Sequence, residues 1–222
     1  MKFRNIIINK GDPLDMNRCV IIGGAGIENY DRIRTYLQAG DYYIFCDSGL
    51  CHQDSLGITP NLIVGDFDSH PNPHLPAETI VLPCEKDDTD TVFAAKEALK
   101  RGFAQFLLIG VSGARMDHAL GNLSLLYMLH AKGREAMLLD DYSEMEMVSH
   151  KPVFIPDSFA FFSLLNITGT ARGVNVEHAK YPLQDAEITC EYQYGISNEV
   201  LPGCQAKVYV REGTLLLIKV YS

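Results

Sequence analysis

The pattern of apolar runs changes once along this chain, and that change limits what it can fold into. Up to about Asp140, short apolar runs alternate with stretches whose apolar residues recur every three to four positions. The runs Cys19–Ile22, Tyr42–Cys46, Leu62–Val64, Thr79–Leu82, Phe106–Gly110 and Ala136–Leu139 predict strands. Between them the spacing predicts helices. The clearest covers Asp88–Arg101, where Val92, Ala95 and Leu99 share a face and Gly102 follows as a C-terminal cap. A second runs from about Asp117 to Ala131, with Leu120, Leu123 and Tyr127 inward. After Asp140 no helix-length periodic segment occurs. Glu144–Ser149, Val153–Ile155, Ala160–Leu165, Gly173–Glu177, Ala206–Arg211 and Leu215–Val220 are short and separated by turn residues such as Pro156-Asp157-Ser158 and Glu212-Gly213.

Strands alternating with helices imply crossovers and a sheet covered on both faces. Two domains are therefore expected. Residues 1–142 would form an α/β domain with a Rossmann-like, mostly parallel sheet and flanking helices, and residues 143–222 an all-β sandwich. The hinge at Asp140-Asp141-Tyr142-Ser143 is short, so the two should be fixed against each other.

The acidic residues fall where such a sheet binds ligands. Tyr43-Ile44-Phe45-Cys46 runs into Asp47-Ser48-Gly49, and Leu62-Ile63-Val64 into Gly65-Asp66-Phe67-Asp68-Ser69. Phe106-Leu107-Leu108-Ile109-Gly110 leads to Ser112-Gly113-Ala114-Arg115-Met116-Asp117-His118. In an open parallel sheet the carboxyl ends of the strands line the ligand crevice. Loops carrying Asp, Gly, Ser and Arg would gather metal ligands and phosphate donors there, which points to Mg-nucleotide chemistry. Asp66 and Asp68, two apart beyond a strand, can reach one hard cation; Mg²⁺ typically takes one or two carboxylates and completes its shell with water and phosphate oxygens. The same pair also suits a turn held by Asx hydrogen bonds.

Asp87-Asp88-Thr89-Asp90, with Lys86 ahead of them, form the mouth of the first clear helix. One of these acids suffices as a cap, so at least one more is expected to serve a metal or cation. In the third loop the small residues let backbone approach phosphate, and Arg115 offers a fork of donors. Asp117 and His118 serve either there or as helix caps. Gly23-Gly24-Ala25-Gly26 fits a phosphate cradle and a tight turn equally well.

A net charge of −9 argues against a nucleic-acid partner. It suits a cytoplasmic enzyme and mildly favours a cationic substrate, though many cytosolic proteins share it. Asn9, Lys10 and Asp12 interrupt Ile6-Ile7-Ile8 before a signal-peptide core is complete. No run approaches the roughly 18 apolar residues of a membrane span, so no membrane partner is expected. Cys19, Cys46, Cys51, Cys84, Cys190 and Cys204 show no CxxC pair and no zinc spacing. Reduced, buried thiols are the expectation for them.

Taken in order, Cys46-Asp47-Ser48-Gly49, Gly65-Asp66-Phe67-Asp68-Ser69, Asp87-Asp88-Thr89-Asp90, Gly113-Ala114-Arg115-Met116-Asp117-His118 with Asn122, and Ser197-Asn198-Glu199 make the chain resemble the thiamine pyrophosphokinase family. The resemblance spans residues 46 to 199 and is specific in combination. The family pattern usually has Asp-Gly-Gly where this chain has Asp47-Ser48-Gly49, and Gly-Gly-Arg where it has Gly113-Ala114-Arg115. Each change swaps one small residue for another, with a slight change of nucleotide fit implied.

The resemblance implies an α/β domain that binds Mg-ATP and a β-sandwich that forms a homodimer, with thiamine at the subunit interface beside the partner's Ser-Asn segment. The thiamine hydroxyl would attack the β-phosphorus of ATP, and AMP would leave. Asp47, Asp66, Asp68, Asp87 and Asp90 are then the expected catalytic acids, with Asp47, Asp66, Asp68 and Asp87 as Mg²⁺ ligands. Ser48, Gly49, Gly65, Arg115, Asp117, His118 and Asn122 would bind nucleotide, and Asp87, Thr89, Ser197 and Asn198 thiamine. Transfer of this kind needs mainly positioning and charge neutralisation. Three rivals are a D-x-D phosphohydrolase with Asp66 as nucleophile, a pyrophosphokinase for another alcohol such as a pterin, and a non-catalytic sensor.

Overall fold

The computed structural model describes residues 18–67, 76–85 and 87–222. Along the chain come β1 (Cys19–Ile22), α1 (Tyr30–Arg34), β2 (Tyr42–Cys46), a 3-10 helix (Asp47–His52), α2 (Gln53–Leu56), β3 (Leu62–Gly65), β4 (Glu78–Val81), α3 (Asp90–Lys100), β5 (Gln105–Ile109), α4 (Met116–Ala131) and β6 (Glu135–Leu139). Strands alone follow: β7 (Ser143–Val148), β8 (Val153–Pro156), β9 (Phe159–Leu165), β10 (Thr170–Glu177), β11 (Leu183–Thr189), β12 (Gly195–Asn198), β13 (Gln205–Glu212) and β14 (Leu215–Tyr221).

These strands form a mixed sheet and a separate antiparallel one. The larger has the order β12-β9-β14-β7-β6-β5-β1-β2-β3-β4, the smaller β11-β10-β13-β8. From β6 to β4 every pairing is parallel, and from β7 outward every pairing is antiparallel. The chain lays β1 to β4 side by side, then returns through α3 to place β5 on the other side of β1. The strand order therefore reverses between β1 and β5, the position at which open α/β sheets hold their ligands.

Two-sided cover explains the apolar strands. Cys19 and Ile21 of β1 join the core under α3 and α4, while Val20 and Ile22 join the core shared with α1 and α2. On α3 the buried face is Ala94, Ala95 and Ala98, with Val92 and Leu99 packed at its margin. The inward stripe of α4 is Asn122, Leu125, Leu126 and Leu129. Leu120 and Tyr127, expected inward, are exposed because they lie on the neighbouring stripe. In the outer part, one face of β7, β9 and β14 packs against β8, β10, β11 and β13 to make a sandwich.

The boundary expected at 142/143 falls in a tight turn. Asp140 Oδ1 accepts from the Tyr142 and Ser143 amides, and β6 pairs directly with β7. The two parts thus share one sheet. Where the cover on one face changes from α1 and α2 to the second sheet, a charged seam is buried. Lys219 Nζ lies 2.5 Å from Glu144 Oε2 and 2.8 Å from Glu146 Oε1. Tyr36 donates to Glu144, and the Tyr221 hydroxyl lies 2.9 Å from that of Tyr36.

Other expectations need correction. Strands β11 and β12 were not foreseen: both are edge strands and carry few buried apolar residues. Of the six cysteines only Cys19 and Cys46 are buried; Cys51, Cys84 and Cys190 are exposed, because they sit in turns or at strand ends. The cap of α3 is Thr89 and none of the acids, its hydroxyl accepting from the Val92 amide.

Candidate active site

At the β1/β5 reversal three backbone segments interleave without room for side chains. The Gly23 amide donates to Ile109 O at 2.9 Å and the Ala25 amide to Gly110 O at 2.8 Å. A Cβ on Gly23 would sit 2.5 Å from Gly110 O, and one on Gly49 2.3 Å from Ile22 O. Gly24 is pressed so closely on Ser48 that a Cβ would reach its hydroxyl. The glycine run is therefore held hard against β5 and the Asp47–His52 turn.

Asp47 opens that turn with φ +37°. A non-glycine residue in the left-handed region carries a cost of about 1–3 kcal/mol and persists where its surroundings over-determine it. Gly65 lies against it: a Cβ there would meet the Asp47 Cβ at 3.0 Å. The first two acidic loops are thus neighbours. The mouth of α3 is tied to α4 by a chain of polar contacts. Thr89 Oγ1 lies 3.1 Å from Thr91 Oγ1, which donates to Asn122 Oδ1 at 2.8 Å; Asn122 Nδ2 donates to Val111 O at 2.7 Å.

A cleft of about 560 Å³ results, lined by Gly23, Gly24 and Gly26, by Asp47, Ser48, Asp66, Thr89 and Asp90, and by Arg115, His118 and Asn122. Arg115 holds Asp117 through both its carboxylate oxygens, at 2.9 and 2.6 Å. That pairing keeps the exposed Asp117 carboxyl well below the usual carboxylate range. Asp117 is spent on orienting the guanidinium.

Several expected site residues stand elsewhere. Gly49 and Gly65 support the cleft from beneath. Asp87 is exposed in the loop before α3 and does not line the cleft, and Asp88 pairs with Lys96 at 2.6 Å. Asp68 lies outside the described residues. Ser197 and Asn198 end β12, at the sheet edge, five strands from β5. At ~4.8 Å per strand that is roughly 24 Å. Asn198 is buried there, its amide accepting from Tyr181 N at 3.0 Å and donating to Tyr181 O at 2.7 Å. Ser197 is exposed at φ +56°.

Sequence reasoning passed over Thr91, Tyr30 and His52. His52 is 3% exposed. Its Nε2 lies 2.9 Å from Ala25 O and its Nδ1 2.8 Å from the Tyr30 hydroxyl. Its only signal was a histidine five residues beyond Asp47, between two expected strands. Among the described residues no three His, Cys, Asp or Glu side chains are grouped to hold a metal ion. Asp47, Asp66 and Asp90 bring hard oxygen donors to the cleft, the kind that suits Mg²⁺.

A family model described as thiamin pyrophosphokinase, catalytic domain, matches residues 33–138. A second, thiamin pyrophosphokinase, vitamin B1 binding domain, matches residues 153–215. Together they cover well over half of the chain. The chain belongs to the thiamin pyrophosphokinase family. The thiamine pyrophosphokinase of Bacillus subtilis (strain 168) is 27% identical over 193 residues, 83% of this chain and 89% of that protein. A crystal structure of thiamine pyrophosphokinase from Bacillus subtilis matches with a TM-score of 0.81 at 24% identity, covering 93% of this chain and all of that one. The yeast thiamin pyrophosphokinase structure matches with 0.74 at 13% identity, covering 93% and 87%. The likeness in fold thus persists where identity has nearly gone. In pyrophosphokinase terms, the catalytic match runs from α1 to β6 and the B1-binding match from β8 to the first residue of β14.

Proposed function

We propose that this chain transfers pyrophosphate from ATP to the hydroxyl of thiamine, giving thiamine diphosphate and AMP. The convergence of the Asp47, Asp66, Asp90 and Arg115 loops on one cleft at the β1/β5 reversal carries this reading, and family membership supports it. The strand order around β1 supports reading the α/β part as Rossmann-like. Residues 1–142 are then the catalytic unit and residues 143–222 the thiamine-binding and dimerisation unit, built on a common sheet.

Arg115, steered by Asp117, and the glycine-run amides bind the ATP phosphates. Asp47 and Asp66 hold Mg²⁺, with Asp68 and Asp87 as further candidate ligands; their hard oxygen donors fit that ion. When bound, Mg²⁺ neutralises charge on the phosphates. The acids at the α3 mouth, with Thr89, face the cationic ring of thiamine and bring its hydroxyl in line with the β-phosphorus. Asn122 and Thr91 keep that mouth at a fixed distance from the phosphate loop. The protein's part is positioning and electrostatics, with no covalent intermediate on the chain.

The site is composite in a homodimer on this reading. One chain holds Ser197-Asn198 too far from its own cleft, so a second copy supplies them. Exposed apolar residues support this on both surfaces that would meet: Tyr181, Tyr192, Tyr194 and Ile196 around β12, and Met116, Leu120 and Tyr127 on α4. Contacts of this kind close into a two-fold dimer. Cytoplasmic location is part of the proposal; no helix among the described residues is long and apolar enough to cross a membrane.

Incubation with ATP, Mg²⁺ and thiamine tests the chemistry. AMP whose release depends on thiamine is expected; free phosphate would indicate the D-x-D hydrolase, and AMP with a pterin alcohol alone the other pyrophosphokinase. In the same assay, inactive Asp66→Asn and Asn198→Ala proteins are mixed under exchange. Activity should return to roughly a quarter of wild type, because half the dimers then carry one intact site of two. No return despite proven heterodimers would mean each site is built within one chain.

A further inference from the structure

Beneath the cleft, a buried imidazole holds the glycine run in place. His52 closes the Asp47–His52 turn, and its Nε2 lies 2.9 Å from Ala25 O. A carbonyl oxygen only accepts, so Nε2 carries the proton and Nδ1 is left to accept from the Tyr30 hydroxyl at 2.8 Å. Burial pushes the imidazole below the ordinary histidine value, which keeps this neutral, single-tautomer form at physiological pH. Tyr30 is the first residue of α1, at the far end of the same connection.

The loop between them is clamped at both ends. The Gly23 and Ala25 amides are used on β5 and on Gly110. The Glu28 and Asn29 amides donate to the two Asp141 oxygens at 2.9 and 2.8 Å. Between these fixed points the amides of Gly24 and Gly26 have no acceptor among the described residues, and both residues are exposed and line the cleft. Ala25, whose carbonyl His52 holds, sits between them. Rotating its peptide would turn one of those two donors away.

We propose that His52, fixed by Tyr30, is a positioning residue for nucleotide binding: by holding the Ala25 carbonyl it keeps the Gly26 amide of the same planar peptide set to receive an ATP phosphate oxygen. This rests on the reading of the cleft as the nucleotide site. A role limited to phosphate-loop geometry should appear in the ATP requirement and spare thiamine.

The test is steady-state kinetics of thiamine-dependent AMP release by the full chain, varying Mg-ATP and thiamine separately. Melting temperatures run alongside. His52→Phe keeps an aromatic ring, a slightly larger one, and deletes both hydrogen bonds. It should raise KM for Mg-ATP about three- to tenfold, the worth of one such bond, with KM for thiamine little changed. His52→Gln, which keeps an N–H donor for Ala25, should recover most of that loss. Tyr30→Phe should move KM for Mg-ATP the same way by less, and it carries the test if His52→Phe does not fold. Unchanged ATP kinetics in a folded His52→Phe or, failing that, in Tyr30→Phe overturns the inference. So does an equal loss for both substrates, or no recovery in His52→Gln. A wild-type protein that releases no thiamine-dependent AMP overturns the reading of the cleft, and the inference with it.

Discussion

The seam around Lys219 and the cleft around Asp47 both put charge into the same ten-stranded sheet, and they do opposite things with it. In the seam one lysine is set against two glutamates, and two tyrosine hydroxyls complete the network. Lys219 and Glu144 are both nearly buried. Burial opposes the lysine charge, yet Glu146 and Glu144 outweigh it and hold its pKa above the ordinary value. In the cleft, acids, glycines and an arginine come from five separate loops and border a volume large enough for a ligand. Antiparallel neighbours bring charges into register with one another, as at Lys219↔Glu144. Parallel strands send their loops to one end, where side chains from distant parts of the chain meet around space. Charge in the first setting is packed against charge, and charge in the second borders open space.

Three substitutions test that contrast. The largest effect belongs to the seam: Lys219→Met leaves the buried Glu144 and the half-buried Glu146 without their cation and should cost about 3–5 kcal/mol, read by urea unfolding. The folded fraction should keep normal turnover. Because the folded pKa of Lys219 is raised, its contribution is fully present below the unfolded value of about 10.4 and fades only as pH climbs through the folded one. Wild-type stability should therefore show no Lys219-dependent loss in the neutral range and a decline at alkaline pH that Lys219→Met lacks. A matching decline in the variant would show that the seam is not its source.

Next comes Asp66→Asn in the cleft. It should lower turnover by about 10²–10³, the scale of removing one preorganised electrostatic contact, with the melting temperature nearly unchanged. A large loss of stability instead would make Asp66 a structural acid like Glu144. The smallest effect is expected from Asp88→Asn. Its partner Lys96 is exposed, and such pairs are worth about 0–1 kcal/mol. Turnover should stay at wild type, separating Asp88 from Asp90 two residues on. A clear drop in AMP release would place Asp88 among the working acids.

Much of this was legible in the sequence where burial is two-sided. The strands β1, β2, β3 and β5 are nearly continuous apolar runs because helices cover both faces, and they match the expected segments within a residue. The placement of Asp47 and Asp66 just beyond two of them followed directly. What escaped lacks such a signal. β11 and β12 border only one neighbour each and need no apolar run. The Asp47–His52 turn begins with a left-handed aspartate, which no residue pattern announces. His52 and Thr91 act through contacts with residues 27 and 31 positions away, and local spacing carries no trace of these. On α4 Leu123 packs on the core as expected, but Leu120 and Tyr127, which recur with it at helical spacing, face outward; only the neighbouring elements decide which of two apolar stripes turns inward.

The position of β14 also bears on how the chain assembles. It lies between β7 and β9, made roughly seventy and fifty residues earlier, and β12 reaches the sheet only by way of β9. Until Leu215–Tyr221 arrive, β7 and β9 each present a bare edge, and the segment around Ser197 has no frame to rest on. Pairings at such separation form slowly, since the intervening chain must be closed before any contact compensates. The parallel half can be complete while the outer half waits. That interval, more than the finished fold, is when unpaired strands of this chain are open to one another across molecules.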